Sequence, residues 1–174
     1  MKMRIFCALM ALMLAVAPAM AEGGLIAALG TPEPVSAEYE ADGLRIVLPA
    51  GLKILEGDEL ETYEAVLNPD GDGAARTILA AVDAERGAAL ILAGMDSELD
   101  CLDAARNAAD AMTGDPDAAV EAEFGENRAA AFSCAIGEQT YSLYYLSDGE
   151  RLIIAGAIGL EQNEIDEMLA ELRF

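Results

Sequence analysis

Histidine and tryptophan are absent, and the ten basic residues face 32 acidic ones, for a net charge of −22. Without imidazole there can be no Ser-His or Cys-His nucleophile pair, no imidazole metal site and no ordinary proton shuttle. The shortage of Lys and Arg argues against nucleic acid as a partner, because that binding depends on neutralising phosphates. Aromatic residues are 5% of the chain, which leaves little for a sugar to stack on. No GxSxG, Walker or GxGxxG signature occurs. The 174 residues are enough for one domain with a real core, and not for two.

The N-terminus has the pattern of an export signal. Lys2 and Arg4 precede an apolar run from Ile5 to Val16, too short for the roughly twenty residues of a membrane span. Pro18 ends the run, and Ala19-Met20-Ala21 places small residues where a signal peptidase reads. Cleavage after Ala21 is the expectation, with a retained membrane anchor as the alternative. Losing Lys2 and Arg4 leaves eight basic against 32 acidic residues and moves the charge from −22 to −24. The charge is read as a device for solubility that keeps the chain monomeric, or as a match for a cationic partner.

Residues 22–36 (EGGLIAALGTPEPVS) are rich in Gly and Pro, and because Thr31-Pro32-Glu33-Pro34 cannot hold a helix they read as a flexible arm. A single domain is expected over 37–174. Its first strand is Leu44–Leu48, stopped by Pro49-Ala50-Gly51, with Lys53–Glu56 as a continuation and one helical turn after Gly57. A short strand is expected at Ala65–Leu67, and two buried strands at Arg76–Val82 and Ala89–Ala93, joined through Ala84–Gly87. Glu98–Met112 reads as an amphipathic helix. Ser97 and Asp100 resemble a capping box, and Cys101, Leu102, Ala104, Ala105, Ala108, Ala109 and Met112 share its apolar face.

Four strands in hairpin succession follow at Val120–Phe124, Ala130–Ile136, Thr140–Leu146 and Leu152–Ile158, with Asp148-Gly149 a strong turn signal. Gln162–Leu172 closes the chain as a second helix. Runs of strands broken by single helices predict an α+β fold, a mainly antiparallel sheet of six to seven strands with two principal helices packed on it.

The opening strand LRIVLPAG (44–51), the QTYSLYYL strand (139–146) with its hairpin, and the closing EMLAELRF (167–174) resemble the PsbP/Mog-type α/β sandwich over about 38–174. The resemblance is one of pattern. It implies a small, exported, non-catalytic accessory module that assembles with larger complexes, and it assigns a role to no single residue.

Four features bear on chemistry. Cys101 and Cys134 are the pair left after cleavage, and an even pair in an exported protein predicts a disulfide pinning helix to sheet; two buried free thiols are the alternative. The turn Asn68-Pro69-Asp70-Gly71-Asp72-Gly73 copies the start of an EF-hand, with Asn68, Asp70 and Asp72 as Ca²⁺ ligands, but position 12 is Leu79 in place of the bidentate Glu. It reads first as a polar turn and second as a loose cation site, with no other cofactor expected. Asp58, Glu59 and Glu61 would serve hydrolysis only if two acids faced each other across a cleft, and Lys53 would need a nearby Ser36, Ser97, Ser133, Ser142 or Ser147. Tyr141 and Tyr145 share a strand face and are expected in the core, whereas Tyr144 points the other way and is the candidate anchor for a partner. The expected function is therefore a non-catalytic binding module meeting an unknown, basic protein partner outside the cytoplasm, with a cation-responsive module and a carboxylate-only hydrolase as rivals.

Overall fold

Two stretches of sequence, Ala88–Met95 and Leu152–Ile158, are apolar at every position, and all fifteen residues are buried. A half-wet antiparallel strand alternates polar with apolar, so a strand with no polar position must be covered on both faces. The computed structural model, which describes residues 37–58, 60–61, 75–137, 139–147 and 149–174, shows how.

The order is β1 (Ala37–Ala41), β2 (Leu44–Leu48), β3 (Lys53–Ile54), β4 (Arg76–Asp83), β5 (Ala88–Met95), α1 (Cys101–Thr113), a 3₁₀ turn at Pro116–Ala118, β6 (Val120–Phe124), β7 (Asn127–Ile136), β8 (Gln139–Ser147), β9 (Leu152–Ile158) and α2 (Gln162–Glu171). Strands β3–β5 form one meander and β6–β9 another. They join at β5 and β9 into a seven-stranded sheet, β3-β4-β5-β9-β8-β7-β6, antiparallel at every step. The fold is α+β and mainly sheet, as the sequence predicts. The strand expected at Ala65–Leu67 and the turn at 68–73 lie outside the described residues.

The two faces are covered differently. Ala89, Ile91 and Ala93 of β5 with Phe132, Leu143 and Tyr145 form one layer, closed by Ala104, Ala105 and Ala109 of α1. Leu90 and Leu92 of β5 with Ile153 and Leu146 form the other, closed by Leu44, Ile46 and Leu48 of the β1–β2 hairpin and by Ile165, Met168 and Leu169 of α2. The buried alanines of α1 allow the helix to lie close to the sheet. Alanine prefers helix, yet β4 and β5 are strands because burial on both faces outweighs that propensity.

Helix α1 starts later than expected. Its N-cap is Asp100, whose Oδ1 accepts a bond from the Asp103 N–H at 2.8 Å, while Ser97 Oγ accepts from Leu99 N–H in a local turn. Aspartate caps as well as serine, and its charge suits the positive end of the helix dipole. Gly114, at φ 74°, ends the helix by donating its N–H to the Asp110 carbonyl at 2.8 Å. A bulge between Thr77 and Leu79 turns both Ile78 and Leu79 toward the hairpin layer.

Candidate functional site

Among the described residues, a groove lies where the hairpin meets α2. Pro49 stops β2, and the chain then bends away through Ala50 and Gly51, leaving a groove of about 350 Å³ between this corner and the helix. Leu48 and Met168, both buried, contribute to its floor. Val47, Pro49 and Ala50 line one side and Glu164, Glu167 and Glu171 the other, and no cation is among the lining residues. The glutamates are spaced three and four apart, so they share one helix face.

Both ends of α2 are tied down. At its start Glu161 N–H donates to Glu164 Oε2 at 2.9 Å, and Arg86 Nη1 meets Glu164 Oε1 at 2.8 Å. Arg86 is held in turn by Asp83, whose Oδ2 lies 2.9 Å from Arg86 Nε and whose Oδ1 accepts the Glu85 and Arg86 N–H groups at 3.1 Å. At its end Asn127 Nδ2 donates to the carbonyls of Leu169 at 2.8 Å and Leu172 at 3.0 Å. Arg173 then exchanges two backbone bonds of 2.9 Å with Arg45 of β2. The groove is thus walled by two elements linked to each other and to the sheet.

Burial by itself would raise the Glu164 carboxyl, but the Glu161 N–H and the Arg86 guanidinium outweigh it and hold the group below its ordinary value. A carboxyl depressed on folding adds stability above its unfolded value of about 4.3, and that stability is lost as pH falls through the lowered value. Glu164→Gln is therefore expected to flatten the acid limb of the melting temperature between neutral pH and pH of about 3. Calorimetry showing the same acid slope in both proteins would remove this link from the account.

Other expected site residues are placed differently. Cys101 and Cys134 pack in the same layer beneath α1, as the helix-on-sheet reading requires, but both are free cysteines and no bond joins them. Sharing a layer is not sufficient, since a disulfide also needs close Cα atoms and converging Cβ vectors. Cys101 is the first residue of α1, and the fully buried contact falls further along at Ala105 and Ala109. Burial pushes both thiols up, and the charge of Asp100 adds to the rise at Cys101, so neither is poised as a thiolate.

Tyr144 is not an exposed anchor. It is 4% exposed, packs edge-on against Phe124 with ring centroids 5.5 Å apart, and its hydroxyl lies 3.4 Å from Gln162 Oε1. The face opposite Tyr141 and Tyr145 is roofed by the hairpin and α2, which the strand pattern alone does not reveal. Tyr141 and Tyr145 are core, as expected. Burial, and secondarily Cys134, raises the Tyr145 hydroxyl far above the usual phenol range.

Lys53 has no described serine within reach. Ser142 is on β8, four strand spacings or about 19 Å away, and Ser133 lies one strand beyond. Ser97 and Ser147 are at the opposite end of the sheet from the Lys53–Val82 pair. Ser36 and Glu59 lie outside the described residues, as do Asn68, Asp70 and Asp72. Among the described residues no group of three or more His, Cys, Asp or Glu is placed to hold a metal ion. No described helix is long and apolar enough to cross a membrane. The groove carboxylates all sit on α2, with Val47, Pro49 and Ala50 opposite, so no pair of acids faces across it in the manner glycoside hydrolysis needs.

No protein-family model matches the chain, and no curated protein matches it. Among solved structures, a protein from Bacteroides thetaiotaomicron VPI-5482 shares the fold, with a TM-score of 0.51 and 11% identity over 79% of this chain. This chain spans about half, 48%, of that protein's length.

Proposed function

We propose that the protein is a non-catalytic binding module, acting outside the cytoplasm, whose α2–hairpin groove takes a cationic segment of a partner protein. Basic side chains of the partner meet Glu167 and Glu171, and an apolar one covers Leu48 and Met168. The observation that carries this reading is the groove itself, with three carboxylates along one side of an apolar floor and no cation in the lining. The net charge of −22 accelerates the approach of a basic partner and disfavours anionic surfaces. The export-type N-terminus and the resemblance to PsbP/Mog-type accessory domains support the extracytoplasmic, accessory setting.

Rim ion pairs are worth about 0.2–1 kcal/mol each, so two of them together account for between about twofold and about thirtyfold in affinity. In fluorescence anisotropy, a labelled peptide alternating Lys with Leu is expected to bind, to weaken as NaCl rises, and to lose about tenfold in Glu167→Gln/Glu171→Gln. That variant leaves the Glu164–Arg86 link intact. Equal binding by variant and wild type, or binding of the same peptide with Glu replacing Lys, would overturn the assignment.

A further inference from the structure

Two of the ten basic residues converge on a second cavity at the opposite end of the hairpin layer. Arg76 opens β4, Asp96 follows β5 and Arg151 precedes β9. Sheet register brings them together, because Arg76 pairs with Gly94 and Met95 with Leu152. Asp42, at the tip of the β1–β2 turn with φ 50°, reaches across from the hairpin. Its Oδ2 lies 3.3 Å from Arg76 Nη1, and its carbonyl accepts a bond from Arg151 Nη2. One residue thus fixes both guanidinium groups at a cavity of about 370 Å³.

The remaining lining is mixed. Ile78, on the hairpin face of the sheet, is buried and apolar, and Met95 borders the cavity while packing in the layer beneath α1. Gly94 keeps the space open, since a Cβ there would sit 3.2 Å from Ile78 Cδ1 and 3.7 Å from Arg151 Nη1. Asp96 is exposed and makes no ion pair among the described residues. Arg76 presents five N–H donors and is 72% exposed, so donors remain beyond its contact with Asp42.

We propose that this cavity binds a free aliphatic α-amino acid, its carboxylate on Arg76 and Arg151, its ammonium on Asp96 and its side chain over Ile78. A simple anion would meet the cavity's own acids and the repulsion of a strongly negative protein, whereas a ligand without net charge escapes the latter. Planar guanidinium groups suit a carboxylate, and the volume suits a small molecule.

The test is isothermal titration of the full chain with leucine, methionine and valine, alongside 4-methylpentanoate (no ammonium), 3-methylbutylamine (no carboxylate), leucylglycine and inorganic phosphate. At least one amino acid is expected to bind in the millimolar range or tighter, with the two singly charged analogues about tenfold weaker or worse. Arg76→Gln should lose about tenfold for the amino acid while its unliganded melting temperature stays that of the wild type. Asp96→Asn should abolish the preference for leucine over 4-methylpentanoate. No heat from any amino acid at about 10 mM with folded protein would overturn the proposal. So would phosphate or 4-methylpentanoate binding as well as leucine, leucylglycine binding better than the free amino acids, or an Asp96→Asn variant with unchanged preference.

Discussion

Leu143→Ala is expected to lower the free energy of unfolding by about 2–5 kcal/mol, toward the upper end of that range. Leu143 is fully buried at the middle of β8, between Phe132 on β7 and Gly156 on β9. Gly156 offers no side chain to move into the void, and the alanines of α1 above the layer are too short to fill it. With little room for relaxation, the cavity term adds fully to the lost transfer free energy. Urea unfolding followed by circular dichroism measures this in a chain without tryptophan. A loss under about 1 kcal/mol would mean that the layer beneath α1 is loosely packed.

Gly159→Ala should cost about 3 kcal/mol, for a reason that has nothing to do with cavities. Gly159 has φ 64°, and a Cβ there would fall 2.6 Å from the Gly87 carbonyl oxygen and 3.1 Å from Ala88 Cα. Both are backbone atoms, one in the β4–β5 connection and one at the start of β5, and cannot rotate aside. Gly87 is an internal control, because it has φ 65° and nothing within 4 Å of an added Cβ. Gly87→Ala should therefore cost only the left-handed penalty of about 1–2 kcal/mol. Equal losses at the two sites would show that the close approach of the chain after β9 is not there. Because Gly159 leads into α2, displacing it also strains the Arg86–Glu164 link and the groove it supports.

Much of the framework is legible in the residues. Alternation and Asp-Gly-type turns locate β6–β9 to within a few positions, and the burial of Phe132, Cys134, Tyr141, Leu143 and Tyr145 in one layer follows from period two. β1 is harder to read because AEYEA carries two glutamates and little β-branching, and it exists through its pairing with β2. What sequence does not encode locally is which element roofs which face. The hairpin and α2 share one side and α1 takes the other, so Tyr144 is enclosed.

The groove and the second cavity were both invisible for the same reason. Glu164, Glu167 and Glu171 can be placed on one helix face by spacing, but the apolar floor beside them comes from a hairpin more than a hundred residues earlier in the chain. Arg76, Asp96 and Arg151 each flank a strand end, which is a usable signal once β4, β5 and β9 are known to be neighbours. The β5–β9 pairing joins the two meanders across α1 and three further strands, and nothing local specifies it.

The central claim is that the α2–hairpin groove is where a partner sits. It is tested most directly by amide chemical shifts of the ¹⁵N-labelled protein during titration with the Lys/Leu peptide. The account predicts the largest changes at Val47, Leu48, Ala50 and along Glu164–Glu171, with the signals around Arg76 and Gly94 still. Changes centred on the exposed edge strand Val120–Phe124, or spread evenly over the acidic surface, would contradict it.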